Sequence, residues 1–195
     1  MDVLSIYVPS FFIMTGLSIV SPILPIYAKS FGVSYTLAAL AISMYAVARL
    51  VFDLPVGILG DRFGRRPVLL LGALIVTISA FLCAYASNFW ELLFYRFLQG
   101  IGSCMWQTMR TTLLQDILKP EERGRVLGYF QAFQLIGSSA GPTIGGVLAE
   151  GWGITAPFYG YGLGGLICFV ICFFFVSESH IYKKRNSQRM EFFFL

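Results

Sequence analysis

Six long apolar stretches follow one another along the chain, and no other feature of the sequence restricts its fold as much. They lie at residues 6–28, 35–57, 67–86, 89–112, 126–148 and 154–176. An α-helix of about 20 residues crosses the hydrocarbon core of a bilayer, whereas transmembrane strands are about half that length and alternate in polarity. The sequence therefore predicts an all-α membrane protein in which residues 1–195 form a single bundle of six transmembrane helices.

The composition excludes the other common classes of protein. Hydrophobic residues make up 57% of the chain and charged residues 12%. That charged fraction is about half the share found in soluble domains, and disordered chains need low hydrophobicity and high charge. The 4 cysteines lie in apolar stretches and the chain has 1 histidine. We therefore expect neither a disulfide framework nor a metal site, and no cofactor.

The basic residues predict the orientation of the bundle. If the N-terminus lies in the cytoplasm, the outer side carries only Lys29. The inner side then carries Arg62, Arg65, Arg66, Arg110, Lys119, Arg123, Arg125, Lys183, Lys184, Arg185 and Arg189. Because cytoplasmic loops are enriched in lysine and arginine, we expect an integral protein of the cell membrane with both termini in the cytoplasm.

Charged residues also occur where hydrocarbon is expected. Arg49 and Asp53 of the second predicted helix are four residues apart and share one helix face. A charge inside a membrane is costly and needs a partner or a water-filled cavity. The two residues form either a self-neutralising structural pair or part of a substrate or proton site, and the sequence leaves both possibilities open.

The fourth predicted helix carries a polar stripe that covers about 80° of its circumference at 100° per residue. Its members are Arg96, Gln99, Ser103, Gln107 and Arg110. Such a stripe faces protein or water, and we favour a water-filled path over interhelical hydrogen bonding. A weaker stripe on the fifth helix consists of Gln131, Gln134 and Ser138.

The fifth predicted helix also has glycines at four-residue spacing. Gly137, Gly141 and Gly145 leave one face without side chains, which lets another backbone come close. Pro142 removes one backbone hydrogen bond and permits a bend. These residues indicate either ordinary small-residue packing or a bend that helps the helix to rock.

The most specific motif follows the second predicted helix, where residues 57–66 read GILGDRFGRR. This segment resembles the signature loop G-x-L-a-D-r-x-G-r-r of the major facilitator superfamily. Two glycines permit a tight turn between the helices, and the arginines can hold acidic groups at the inner end of the fourth helix. The residues expected to form a conformational latch are Gly57, Asp61, Arg62, Gly64, Arg65, Arg66 and Asp116.

Three further segments support the resemblance. Residues 96–102, RFLQGIG, are similar to the R-x-x-q-G-x-g motif of the same family, whose arginine is associated with coupling in proton-coupled members. Residues 137–146, GSSAGPTIGG, are similar to the motif of the drug/proton antiporter branch. Residues 16–25, GLSIVSPILP, resemble the first-helix motif of that branch. The resemblance covers nearly the whole chain.

The resemblance implies one half of a major-facilitator-type fold and secondary active transport of a small molecule by alternating access, with proton-coupled efflux. Several antiporters of this branch carry an acid where this chain has Ile13, so Asp53 becomes the candidate proton carrier. Members usually have two six-helix halves. We therefore expect lipid, a substrate and a second half as partners, the second half being a missing continuation, a partner chain or another copy. No nucleic acid is expected.

The alternatives are a truncated or non-transporting half, or a permease for sugars or organic anions. Without a second half, the polar stripe of the fourth helix and the pair Arg49–Asp53 would face lipid. We do not expect an enzyme. Ser139 stands in a G-x-S-x-G pattern, but it lies roughly 20 Å from the inner end of the fifth predicted helix, whereas His180, the available base, lies past the inner end of the sixth.

Overall fold

The computed structural model describes residues 4–118 and 120–177, which form seven α-helices and no strand. The all-α prediction is therefore confirmed for these residues. The helices are α1 (Leu4–Val20), α2 (Leu24–Ser30), α3 (Tyr35–Phe63), α4 (Arg65–Ala84), α5 (Phe89–Ile117), α6 (Pro120–Trp152) and α7 (Ala156–Phe175). The residues outside this description include His180 and five predicted inner-side basic residues: Lys119, Lys183, Lys184, Arg185 and Arg189.

The first predicted helix, 6–28, is in fact two helices. The segments Tyr7–Val20 and Leu24–Ser30 are bent by 47° relative to each other. Pro22 lies in the break and has no backbone N–H to donate to the preceding turn. The amide of Ile23 donates to the carbonyl of Val20 at 3.1 Å, which tightens the chain into a turn. The proline therefore ends α1 well before the apolar stretch ends.

The predicted loop between the second and third helices is almost entirely helical. Helix α3 continues to Phe63, α4 begins at Arg65, and Gly64 alone separates them. Gly64 has a φ of 104°, a conformation that glycine adopts without steric cost. Gly57, which we expected in the turn, lies inside α3 instead. A single glycine is thus enough to reverse the chain.

Helices α5 and α6 are longer than predicted, at 29 and 33 residues. Helix α5 begins where Asn88 accepts a hydrogen bond from the amide of Glu91 at 2.9 Å. Helix α6 begins at Pro120, a residue suited to the first helical position, and two glutamates in its first turn favour the positive end of the helix dipole. It continues through Pro142 without interruption.

The helices pack as two groups of three. One group consists of α1 against α6 and α7, and the other of α5 against α3 and α4. The contact of α4 with α7 joins the groups, while α2 packs on α3. Large side chains such as Trp106, Phe158 and Tyr161 fill the core between them. The outer surface is apolar, with Phe174 and Phe175 about two-thirds or more exposed, as expected for a protein surrounded by lipid.

Length and composition identify three helices as able to cross a membrane, namely α3, α4 and α7. The bent pair α1–α2 makes a fourth if it is counted as one span. Helices α5 and α6 are long enough, but they carry the two polar stripes. That they span the membrane as well stays a prediction.

Candidate functional site

The polar stripe of α5 is largely buried inside the bundle. The side chain of Arg96 is 4% exposed, and Gln99 and Ser103 are buried as well. Arg96 donates from Nε to the carbonyl of Ala41 on α3 at 3.2 Å and bonds to the side-chain oxygen of Gln99. This part of the stripe therefore faces protein, and it would not face lipid in the isolated half as we expected.

A tyrosine of α3 completes this buried cluster. The hydroxyl groups of Tyr45 and Ser103 are 2.6 Å apart. The guanidinium of Arg96 lies 4.9 Å from the centre of the Tyr45 ring, within reach of a cation–π interaction. Arg96, Ser103 and Tyr45 thus provide the interhelical hydrogen bonding that we considered less favoured than a water-filled path. The sequence analysis missed Tyr45 because its role depends on how α3 pairs with α5.

Arg110 occupies a separate position at the inner end of the stripe. Its guanidinium lies 4.6 Å from the ring centres of both Trp106 and Phe130. The Nε and Nη1 atoms are buried and have no hydrogen-bond partner. Two aromatic faces therefore provide the main stabilisation of this charge.

Asp53 lies in a groove between α3 and α5. Its carboxylate accepts hydrogen bonds from the hydroxyl of Thr108 at 2.8 Å and from the thiol of Cys104 at 3.4 Å. Within residues 4–118 and 120–177, no ion pair joins Asp53 to Arg49. The interpretation as a self-neutralising pair therefore does not describe this structure. Thr108 and Cys104 were missed because they lie beside the stripe rather than on it.

Two cavities open on this groove and share Arg49 and Asp53. The smaller cavity has a volume of about 280 Å³. It is lined by Arg49, Asp53, Gln107, Thr108, Thr111 and Thr112. The other cavity, of about 490 Å³, lies along α3 between Tyr45 and Leu54. Gln107 is thus the one residue of the α5 stripe that lines either of these cavities.

The packing of α6 places the residues of its predicted polar stripe in different surroundings. Gln131 is exposed, whereas Gln134 is buried and its amide nitrogen has no hydrogen-bond acceptor. Neither residue lines the two cavities on Asp53. The structure therefore does not bring these glutamines to the groove.

The glycine face of α6 packs against α1 within this chain. A Cβ atom added at Gly137 would lie 2.6 Å from the hydroxyl of Thr15, and one at Gly141 would lie 2.6 Å from the hydroxyl of Ser18. One added at Gly145 would lie 3.0 Å from the carbonyl carbon of Ile19. The close partner of this glycine face is therefore α1 of the same half.

The arginines that follow Gly64 connect the C-terminal ends of α5 and α7 to the start of α4. Arg65 forms an ion pair with Asp116 of α5 and lies 3.8 Å from Asp61. The neighbouring Arg66 donates to the carbonyl of Phe173 near the end of α7 at 2.7 Å. Arg62 is exposed. The first turn of α4 therefore holds both α5 and α7.

The described residues contain no group of histidine, cysteine, aspartate and glutamate side chains that could hold a metal ion. The polar groups of the groove are one carboxylate, one guanidinium, an amide and several hydroxyls. Such a set can bind a polar small molecule or exchange a proton at Asp53.

Known proteins resemble this chain over nearly its whole length. It is 27% identical over 190 residues to an uncharacterized transporter of Methanocaldococcus jannaschii, covering 97% of this chain and 49% of the relative. It is also 27% identical over 186 residues to the quinolone resistance protein NorA of Staphylococcus aureus, covering 95% of this chain and 48% of NorA. The chain thus spans about half the length of these relatives.

Solved structures share the fold. The human organic anion transporter MFSD10 superposes with a TM-score of 0.77 at 20% identity, over 90% of this chain and 47% of that protein. A peptide transporter superposes with a TM-score of 0.78 at 19% identity, over 87% of this chain and 36% of that protein. A sequence profile of the Major Facilitator Superfamily matches residues 6–194. The chain therefore belongs to the major facilitator superfamily, a family of integral membrane transporters rather than enzymes, and it has the fold of one half of such a transporter.

Proposed function

We propose that this chain is half of a secondary active transporter that exports a small molecule by alternating access in exchange for protons. The observation that carries the proposal is the position of Asp53. Among the described residues it is the one acid far from a helix end, and it opens on two cavities. A carboxylate inside a membrane helix is energetically costly, so its presence usually marks a function. Acids in such positions commonly carry protons.

The contacts of Asp53 supply a coupling mechanism. The ionised carboxylate accepts the hydroxyl of Thr108 and so links α3 to α5. Protonation removes the negative charge and converts one carboxyl oxygen into a donor, which weakens this link. It also leaves Arg49 as the charged group shared by both cavities. Proton binding and substrate binding would then alter the same helix contact.

Transport needs a second body on the other side of the site, because alternating access arises when two halves rock around it. We propose that the second half is a continuation of this chain, a partner chain or another copy. The Arg65–Asp116 ion pair and the bond from Arg66 to Phe173 would act as a latch on the cytoplasmic side. Chemical crosslinking in membranes, with sizing in detergent, tests this. A monomer that transports alone would refute it.

The decisive experiment concerns Asp53→Asn, which mimics the protonated side chain. Membrane vesicles containing the assembled transporter receive an imposed pH gradient, and movement of a fluorescent quinolone is measured. The quinolone is chosen because the relative NorA is named for resistance to this class of compound. We expect Asp53→Asn to lose accumulation driven by the pH gradient and to keep exchange of quinolone at equal pH, because only the proton site is removed.

The matched control is Glu150→Gln, which removes an exposed carboxylate at the outer end of α6 and should leave both activities unchanged. Gradient-driven accumulation at the wild-type rate in Asp53→Asn would contradict the assignment of the proton site. Absence of quinolone movement in the wild type would instead argue against this class of substrate.

An organic-anion permease is the second candidate. It is favoured by Arg49, a guanidinium that lines both cavities and has no carboxylate in ion-pair distance among the described residues. A positive charge that lines a cavity attracts an anion. Inhibition of quinolone movement by a simple aromatic carboxylate, and not by a neutral sugar, would favour this candidate.

A further inference from the structure

One hydrogen bond between α1 and α6 has no part in the proposed coupling mechanism. Pro142 has no backbone N–H, so the carbonyl of Ser138, four residues earlier, has no helical donor. The hydroxyl of Ser18 on α1 donates to this carbonyl oxygen at 2.5 Å. A side chain of one helix therefore replaces a bond that the other helix cannot make for itself.

The glycine next to the proline makes room for this bond. A Cβ atom at Gly141 would lie 2.6 Å from the oxygen of Ser18, too close for any larger residue. Gly141 and Pro142 thus contribute to the same contact. The glycine leaves space for the side chain of Ser18, and the proline leaves the carbonyl of Ser138 available as an acceptor. The helix is uninterrupted from Pro120 to Trp152. Pro142 is therefore compatible with a regular, well-supported helix.

We propose that Ser18 is a positioning residue whose hydroxyl substitutes for the absent N–H of residue 142 and joins α1 and α6 into one rigid unit. Pro142 then supplies an acceptor between helices rather than a hinge within one. This inference goes beyond the proposed transport function, because it concerns helices away from the Asp53 groove and holds whatever the substrate is.

A neighbouring residue provides a matched control. Thr15 also faces the glycine surface of α6, opposite Gly137, but its hydroxyl is buried and has no hydrogen-bond partner. Thr15→Val therefore removes a hydroxyl from the same interface without removing a bond. Ser18→Ala removes a hydroxyl together with the bond to Ser138. The two variants separate hydrogen bonding from packing.

The experiment is a double-mutant cycle on the full chain in detergent, read by backbone hydrogen exchange over residues 139–146. Ser18→Ala should speed exchange there by about fivefold, the ratio expected from one net hydrogen bond. Pro142→Ala restores a backbone N–H, so the helix can bond to the Ser138 carbonyl itself. In that background, Ser18→Ala should change exchange by at most about twofold. Thr15→Val should leave exchange at the wild-type rate.

Equal effects of Ser18→Ala in both backgrounds would overturn the proposal, as would no effect in the wild-type background or an equal effect of Thr15→Val. If Ser18→Ala alone does not fold, the cycle is read from the yield of folded protein. If the Ser18→Ala/Pro142→Ala double variant then folds, the backbone N–H of residue 142 has replaced the hydroxyl of Ser18, as proposed. If the double variant fails to fold as the single variant does, the proposal is refuted.

Discussion

The α1–α6 contact and the α3–α5 contact hold their helices together in different ways. Three glycines of α6 bring its backbone close to α1, and two hydroxyl bonds from α1 supplement the fit, from Ser18 to the carbonyl of Ser138 and from Tyr7 to the carbonyl of Val126. Helices α3 and α5 approach closely at Gly100, and polar side chains link them at several points along their interface. The first contact leaves no room for a ligand, whereas the second opens on the cavities at Asp53.

This difference indicates a division of labour within the half. Close backbone packing gains dispersion contacts and costs little desolvation, which suits a contact that stays fixed. Buried guanidinium and hydroxyl groups contribute little net stability, whereas a carboxylate such as Asp53 can respond to protons and ligands. We therefore expect stability to depend mainly on α1–α6 and function mainly on α3–α5.

The largest effect on stability should follow from filling the glycine face. In Gly145→Val the new side chain would meet the backbone of Ile19, which cannot rotate away. We expect unfolding in detergent to become easier by about 3 kcal/mol, as for other overpacked contacts. Gly146→Val is the control, since nothing lies within 4 Å of a Cβ at that position. Equal thermal midpoints for the two variants would show that the α1–α6 contact tolerates separation.

A smaller effect should follow from removing one hydroxyl of the polar contact. Tyr45→Phe deletes the bond to Ser103 and keeps the ring near Arg96. We expect a loss of about 1 kcal/mol, measured by thermal unfolding. Adding Ser103→Ala should cost little more, because the two groups share one bond. Fully additive losses would mean that the hydroxyls do not act as a pair.

The smallest change in stability is expected for Arg96→Met, although the removed charge is deeply buried. An apolar side chain of similar length avoids desolvating a charge, so the free energy of unfolding should stay within about 1 kcal/mol of the wild type. Movement of quinolone in the vesicle assay should nevertheless be lost. Arg125→Met, at an exposed position of α6, should preserve both. If Arg96→Met were strongly destabilised but still active, the α3–α5 contact would serve stability rather than function, contrary to our expectation.

The sequence was sufficient to predict the helical bundle, because hydrocarbon-length apolar stretches permit few other structures. It was less informative about helix ends. Pro22 divides one stretch by removing a donor, and Gly64 reverses the chain in one residue, whereas Gly57 remains helical. Such boundaries depend on local backbone conformations that hydropathy does not encode.

Periodicity along single helices identified Arg96, its partner Gln99 and Asp53, but not the partners that neighbouring helices supply. Tyr45, Thr108 and Ser18 acquire their roles from the way two helices pair, and no pattern within one helix specifies that pairing. The glycine spacing correctly indicated a close contact but not that α1 makes it. Interhelical contacts were therefore the part that sequence reasoning missed.

The one-residue connection at Gly64 also has a mechanical consequence. Helix α3 is one continuous helix of 29 residues, so it can act as a lever of about 44 Å with its fulcrum at this glycine. A tilt of about 10° would displace the far end by roughly 8 Å and Asp53 by roughly 3 Å. Because Arg65 fastens the neighbouring turn to Asp116, the fulcrum is anchored. The arm can swing only if its bonds to α5, such as those of Tyr45 and Asp53, break or follow the motion. A small rotation at this connection would therefore produce a larger displacement at the groove and at the far end of α3.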